Sequence, residues 1–216
     1  MGATSPMKKS VILMGFRHTI ESPRFLFPEA ELWGQSNAAR AWDFAIYDWS
    51  RWFDLHDEGA QAGYAGIRLL RPDILAWYQK QGPERPIYFT KPIASVRAST
   101  RFPREEIQAM FPEAKGRYGC QLSFMVAFAI YEGFQRLIFY GTGEPYVKNP
   151  ESAEARKWQQ RHDSVLYWIA KAEDRGIEIV HSGPCMFQPV GGDYGYDMGP
   201  GGAAGLEAAF DQLKEQ

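Results

Sequence analysis

His56 and Glu144 are the two side chains whose type and placement best suit proton transfer. Each follows, within a few residues, an apolar run that a folded chain must bury: Trp52–Leu55 before His56, and Leu137–Tyr140 before Glu144. A general base needs hydrogen-bond reach to the proton it takes and a protonation equilibrium near working pH, which His and a suitably placed Glu both provide. The same arrangement recurs along the chain. Ser10–Met14 runs into Gly15 and Arg17, Glu31–Gly34 into Gln35 and Asn37, Leu137–Tyr140 into Gly141, Thr142 and Tyr146, and Ile177–Val180 into His181 and Ser182. Polar candidates at the ends of five apolar runs say more together than any one of them alone. Asp54 is different, because it lies inside its run, where a carboxylate must be paired; Arg51, Arg68 or a backbone donor would serve.

Two further features suit an anion. Ser123 stands near the start of an almost wholly apolar segment, Leu122–Ile130, where a helix N-terminus would present free N–H groups and a favourable dipole. Its hydroxyl suits either a phosphate or a helix cap. Arg97, Arg101 and Arg104 form a local basic cluster, readable as a solvated loop or as a lid whose guanidinium forks close on phosphate. The turn after the first run, Gly15-Phe16-Arg17-His18, is not the GxGxxG of a dinucleotide site.

These residues need a scaffold that brings run ends together. The apolar runs at 10–14, 31–34, 50–55, 86–90, 137–140 and 177–180 are short and rich in aromatic and branched residues, the pattern of strands covered on both faces. Between them, helices are predicted over 38–47, 72–81, 105–111, 122–130 and 151–175; Pro72 and Gly82 bracket the second, and Gly176 ends the last. Strand and helix alternate, so the expected fold is α/β and Rossmann-like, a mostly parallel sheet flanked by helices in a single domain. Residues 1–9 read as a flexible N-terminus, 10–185 as the nucleotide-binding domain, and 186–216 as a glycine-rich loop with a C-terminal helix.

Composition narrows the function. With 216 residues and 45% hydrophobic content the chain can bury one sizeable core, and its net charge of -2 offers no footprint for tight nonspecific binding to nucleic acid or anionic membrane. Cys120 and Cys185 are too few for a disulfide scaffold and lack zinc-site spacing, which fits a reduced, cytoplasmic protein. Apolar runs of about nine residues fall short of the roughly 20 that span a bilayer. No membrane partner, resident cofactor or metal is expected.

The run YEGFQRLIFYG at 131–141, the later YWIAKAEDRGIEIV, and the upstream Trp33-Gly34 and Phe53-Asp54-Leu55-His56 together resemble a group of uncharacterised bacteriophage proteins. More distantly, the layout is similar to bacterial sialyltransferases with a Rossmann-like, nucleotide-sugar-binding domain. That resemblance implies nucleotide contacts from Asn37, Ser123 and Tyr146. The first asparagine of the pattern has no counterpart after Gly15, and Thr142-Gly143 stands where an aspartate is expected. The resemblance and the polar run ends together imply a metal-independent transferase with a nucleotide sugar as co-substrate. Gly15, Arg17, Gln35, Asn37, Asp54, Arg101, Ser123, Gly141, Thr142 and Tyr146 would line its site, with His56 or Glu144 as base. If phage-encoded, it would act in the host cytoplasm. A modified nucleic acid as acceptor and a homo-oligomer are both compatible with it. Two alternatives share the pocket: a non-catalytic protein that sequesters a signal nucleotide, and a magnesium-dependent pyrophosphoryl-transfer enzyme using Asp54, Asp57 and Glu58.

Overall fold

Strands without polar alternation must be buried on both faces, and the computed structural model, which describes residues 9–15, 23–35, 48–56, 72–142, 151–182 and 187, places them at the centre of the molecule. Seven strands form one sheet: β1 (Ser10–Met14), β2 (Glu31–Gln35), β3 (Arg51–Asp54), β4 (Ile87–Phe89), β5 (Ser99–Arg101), β6 (Arg136–Tyr140) and β7 (Glu178–Ser182). All neighbours are parallel, in the order β5-β4-β3-β2-β1-β6-β7. From β1 the chain steps outward through β2 to β5, then returns to place β6 on the other side of β1. The order therefore reverses between β1 and β6, the topological switch point at which open α/β sheets bind ligands beyond the carboxyl ends of their strands.

The described helices are α1 (Pro23–Leu26), α2 (Pro72–Gln79), α3 (Arg104–Met110), α4 (Gln121–Tyr131) and α5 (Ala153–Glu173), with a short 3-10 turn at Pro112–Ala114. They cover both faces of the sheet. On one face Val11, Leu13, Trp33, Phe53, Leu137 and Phe139 pack against α3, α4 and α5. On the other, Ile12, Leu32, Trp52, Ile87, Phe89 and Ile138 pack against Ile74 and Tyr78 of α2. Alternation along each strand thus feeds two cores, as the two-fold side-chain period requires. The expectation for α4 holds: Leu122, Ser123 and the six residues Met125–Ile130 are all buried.

Two sequence expectations change. The 97–104 segment is neither a solvated loop nor a lid: Ser99–Arg101 is edge strand β5, and α3 begins at Arg104. Its three polar residues have no apolar signature because an edge strand is paired on one side only, and it joins β4 through a helix-free turn over 90–98. β7 runs to Ser182, so His181 and Ser182 belong to the strand and not to the loop after it. Phe187 is buried with the α5 core, stacked on His162 and tilted against Phe139.

Charge gathers at the amino edge of the sheet. Arg51, at the start of β3, pairs with Glu31 of β2 at 2.8 Å and with Glu132, the C-cap of α4, at 3.4 Å, and lies over the Trp33 ring. Burial by itself lowers the Arg51 guanidinium, but the charge and hydrogen bonds of Glu31 more than offset it and hold it above the ordinary arginine value. Arg136 of β6 pairs in the same way with Glu178 of β7 at 3.1 Å.

Two residues give direct tests of this packing. A Cβ on Gly34 would lie 1.9 Å from the Trp52 ring, which is fully buried between Trp49 and Trp77. Gly34→Ala should therefore cost about 1–3 kcal/mol, read as a lower urea midpoint at unchanged slope. Tyr118, in the loop before α4, stacks on Phe124, and its buried hydroxyl has no hydrogen-bond partner among the described residues. Burial pushes its pKa up to about 12 from 10.0. The unfolded chain then gives up the phenolic proton first, so this contribution to stability is complete below pH 10.0 and is lost as pH rises through about 12. Melting curves of Tyr118→Phe across that range should fall less steeply than those of the wild type; parallel curves would contradict the assignment.

Candidate active site

β3 ends in a buried carboxylate. Asp54 is 3% exposed and points to the α2 face, where its two oxygens are separately engaged. Oδ2 accepts a hydrogen bond from the Tyr78 hydroxyl at 2.7 Å, and Oδ1 lies 2.5 Å from Nδ1 of His56. An ionised carboxylate only accepts, so Nδ1 carries the proton in this contact and the lone pair of a neutral imidazole lies on Nε2. Of the partners foreseen for Asp54, Arg68 lies outside the described residues, and Arg51 is not the one it uses. Arg51 sits at the other end of the same strand, bound to Glu31.

From the opposite face α4 grips the same strand end. Gln121, the first residue of the helix, donates from Nε2 to the Phe53 carbonyl at 2.5 Å and accepts from Leu55 N–H at 3.0 Å. These bonds continue the pairing of the β3 backbone beyond its last ladder pair and join it to the helix N-terminus. Ser123 faces inward. Its hydroxyl donates to the Cys120 carbonyl at 2.5 Å and accepts from Cys120 N–H at 3.3 Å, which closes the helix start. Of the two roles open to Ser123, helix cap and phosphate ligand, the geometry realises the first.

At the switch point the backbones of the β1 and β6 loops touch. A Cβ on Gly15 would fall 2.1 Å from the Gly141 carbonyl oxygen and 2.7 Å from Cα of Thr142, so no larger residue fits. Gly15 N–H donates to the Tyr140 carbonyl at 2.8 Å, and Gly141 turns away at a φ of +66°, the left-handed region that glycine enters freely. Gln35, 3% exposed at the end of β2, donates to the Met14 carbonyl at 2.8 Å. Gly15, Gln35, Asp54, His56, Gly141 and Thr142 therefore share the carboxyl edge across β3, β2, β1 and β6. Two strand spacings, roughly 10 Å, separate the Asp54 pair from the switch point.

Arg101 does not join them. It lies on the outer strand, aligned through Phe89 with Asp54, and its guanidinium is held by Glu105 and by Glu106 at 2.9 Å. The Glu105 hydrogen bond raises its pKa. The fork foreseen for phosphate is thus filled by carboxylates of α3. Arg17, Asn37, Glu144 and Tyr146 lie outside the described residues, as do Asp57 and Glu58. His181 stacks on Phe139, and burial pushes its pKa down. Among the described residues, no group of three His, Cys, Asp or Glu side chains is arranged to hold a metal ion, and no helix is long and apolar enough to cross a membrane. Sequence reasoning missed Tyr78 and Gln121. The first was legible only as an aromatic on the apolar side of α2, one turn after Ile74, and the second only as a polar residue before an apolar helix.

No protein-family model and no characterised protein matches the chain. Among solved structures it is similar to the sialyltransferase CstII from Campylobacter jejuni in complex with the substrate analogue CMP-3FNeuAc. The two chains are 12% identical, 81% of each is covered, and the TM-score is 0.47. A second structure of that enzyme, with cytidine-5'-monophosphate, is 12% identical over 82% of this chain and 81% of the other, at a TM-score of 0.42.

Proposed function

We propose that this chain is a transferase that takes a nucleotide-activated sugar as donor and works without a metal or a resident cofactor. The observation that carries the reading is the Asp54–His56 pair at the carboxyl end of β3, on the same edge as the glycine-lined switch point. The sequence resemblance to sialyltransferases supports the choice of donor.

In this reading the nucleotide lies across the crevice above Gly15, Gly141 and Thr142, with its phosphate near the N-terminus of α4, where the dipole favours negative charge. Asn37 takes the nucleoside and Tyr146 the leaving phosphate. The acceptor hydroxyl attacks the anomeric carbon, a new C–O bond forms, and the bond to the phosphate oxygen breaks with its electron pair leaving on the nucleotide. Nε2 of His56 takes the hydroxyl proton, and Asp54 stabilises the imidazolium that results, as an oriented carboxylate does for any histidine base. Glu144 is the alternative base. The phage setting, a modified nucleic acid as acceptor and a homo-oligomer belong to this proposal as its least constrained parts.

The test is a thermal-shift screen of nucleotides and nucleotide sugars with and without magnesium, followed by product analysis. Nucleotide sugars should raise the melting temperature without magnesium and be consumed when an acceptor is supplied. His56→Ala should keep the shift while transfer falls by roughly 10²–10⁴-fold. Stabilisation by free nucleotides with no turnover of any sugar nucleotide would falsify the transferase reading in favour of a sequestering protein. A strict magnesium requirement would point instead to pyrophosphoryl transfer.

A further inference from the structure

The Asp54 carboxylate is held from two directions, and only one of them is the histidine. Tyr78 is fully buried in α2, on the sheet face opposite α4, and its ring meets Phe89 edge-on at 5.4 Å and Trp77 at 5.4 Å. A carboxylate's last torsion is broad and nearly two-fold, so a contact through one oxygen leaves its plane weakly defined. The Tyr78 hydroxyl on Oδ2 removes that freedom and turns Oδ1 toward Nδ1 of His56. The tyrosine is itself fixed by packing, whereas His56 is half-exposed just past the end of β3.

We propose that Tyr78 is a positioning residue for His56, acting through Asp54: the chain from the Tyr78 hydroxyl through the carboxylate to Nδ1–H sets the orientation of the imidazole and keeps its lone pair on Nε2. The kinetic consequence rests on the transferase reading above; the structural consequence does not. Gln121 completes the hold by fixing the backbone on either side of Asp54 from the α4 face, so that side chain and main chain are set independently.

The experiment follows the His56 ring nitrogens by NMR in ¹⁵N-histidine-labelled protein, assigned by comparison with His56→Gln. In the wild type, neutral His56 should carry its proton on Nδ1. Tyr78→Phe, which keeps the packed ring, should move the population toward the Nε2–H tautomer at little change in melting temperature, and transfer should fall by roughly ten- to a hundredfold in kcat with KM unchanged. A wild-type Nε2–H tautomer, or an unchanged tautomer in a folded Tyr78→Phe, overturns the proposal. Should that variant not fold, 3-fluorotyrosine at position 78 keeps the hydroxyl and alters its donor strength: displacement of the His56 Nδ1 resonance supports the chain, and its absence refutes it. If the tautomer responds as expected but no donor is ever turned over, the positioning stands and the transferase reading falls.

Discussion

A helix with no wet face constrains everything around it. Because Leu122 and Met125–Ile130 are buried on every side, α4 can exist only with β1, β3, α3 and α5 already packed about it, and its polar ends must find partners inside the protein. The N-terminus does so through Ser123 on Cys120 and through Gln121 on the end of β3. At the other end Lys9, just before β1, donates from Nζ to the Glu132 carbonyl at 2.9 Å, while Glu132 reaches Arg51. The helix is thus tied at one end to the carboxyl end of β3, which carries Asp54, and at the other to the start of β3 and to the residue before β1, a strand that flanks the switch point. Its burial and the geometry of the carboxyl edge form a single arrangement.

Charge is distributed accordingly. Ion pairs such as Arg51–Glu31 and Arg136–Glu178 lie at the amino edge, where they join strand starts and helix ends. At the carboxyl edge of the central strands β3, β2, β1 and β6 the described groups include backbone amides, Gln35, Thr142 and the Asp54 pair. A buried carboxylate bound by a hydroxyl and an imidazole differs from one neutralised by a guanidinium, because its negative charge is left to act on the histidine. An arginine beside Asp54 would have satisfied burial equally well and committed that charge to a structural pair. At the outer strand of the same edge, Arg101 is committed to just such a structural pair with Glu105 and Glu106, whereas Asp54 is not.

The strand patterns were legible because buried parallel strands are apolar throughout: Val11–Met14, Leu137–Tyr140 and the aromatic run of β3 could be read directly. So was the convergence of the strand ends, since parallel strands put all their carboxyl ends on one edge. β5 was missed for the converse reason. Ser99-Thr100-Arg101 is half-paired and exposed, so its side chains carry no burial signal and its arginine reads as a ligand group. Ser123 shows how one residue type can suit two roles that sequence alone leaves open; its hydroxyl turns inward onto Cys120, as the cap role requires.

Hydrophobic spacing is local, and it was enough to specify the class of fold, the buried central helix and the edge on which polar residues collect. The pairing of Asp54 with Tyr78 and His56, the hold of Gln121 on β3, and the capture of Arg101 by Glu105 and Glu106 came only with the folded chain. Asp54 and Tyr78 are 24 residues apart and Phe53 and Gln121 are 68 apart, so which donor meets which acceptor depends on strand order and on helix placement across the two faces of the sheet. A hydrogen bond acts over about 3 Å, and nothing in a linear spacing specifies distances of that size between elements that meet only when the core closes.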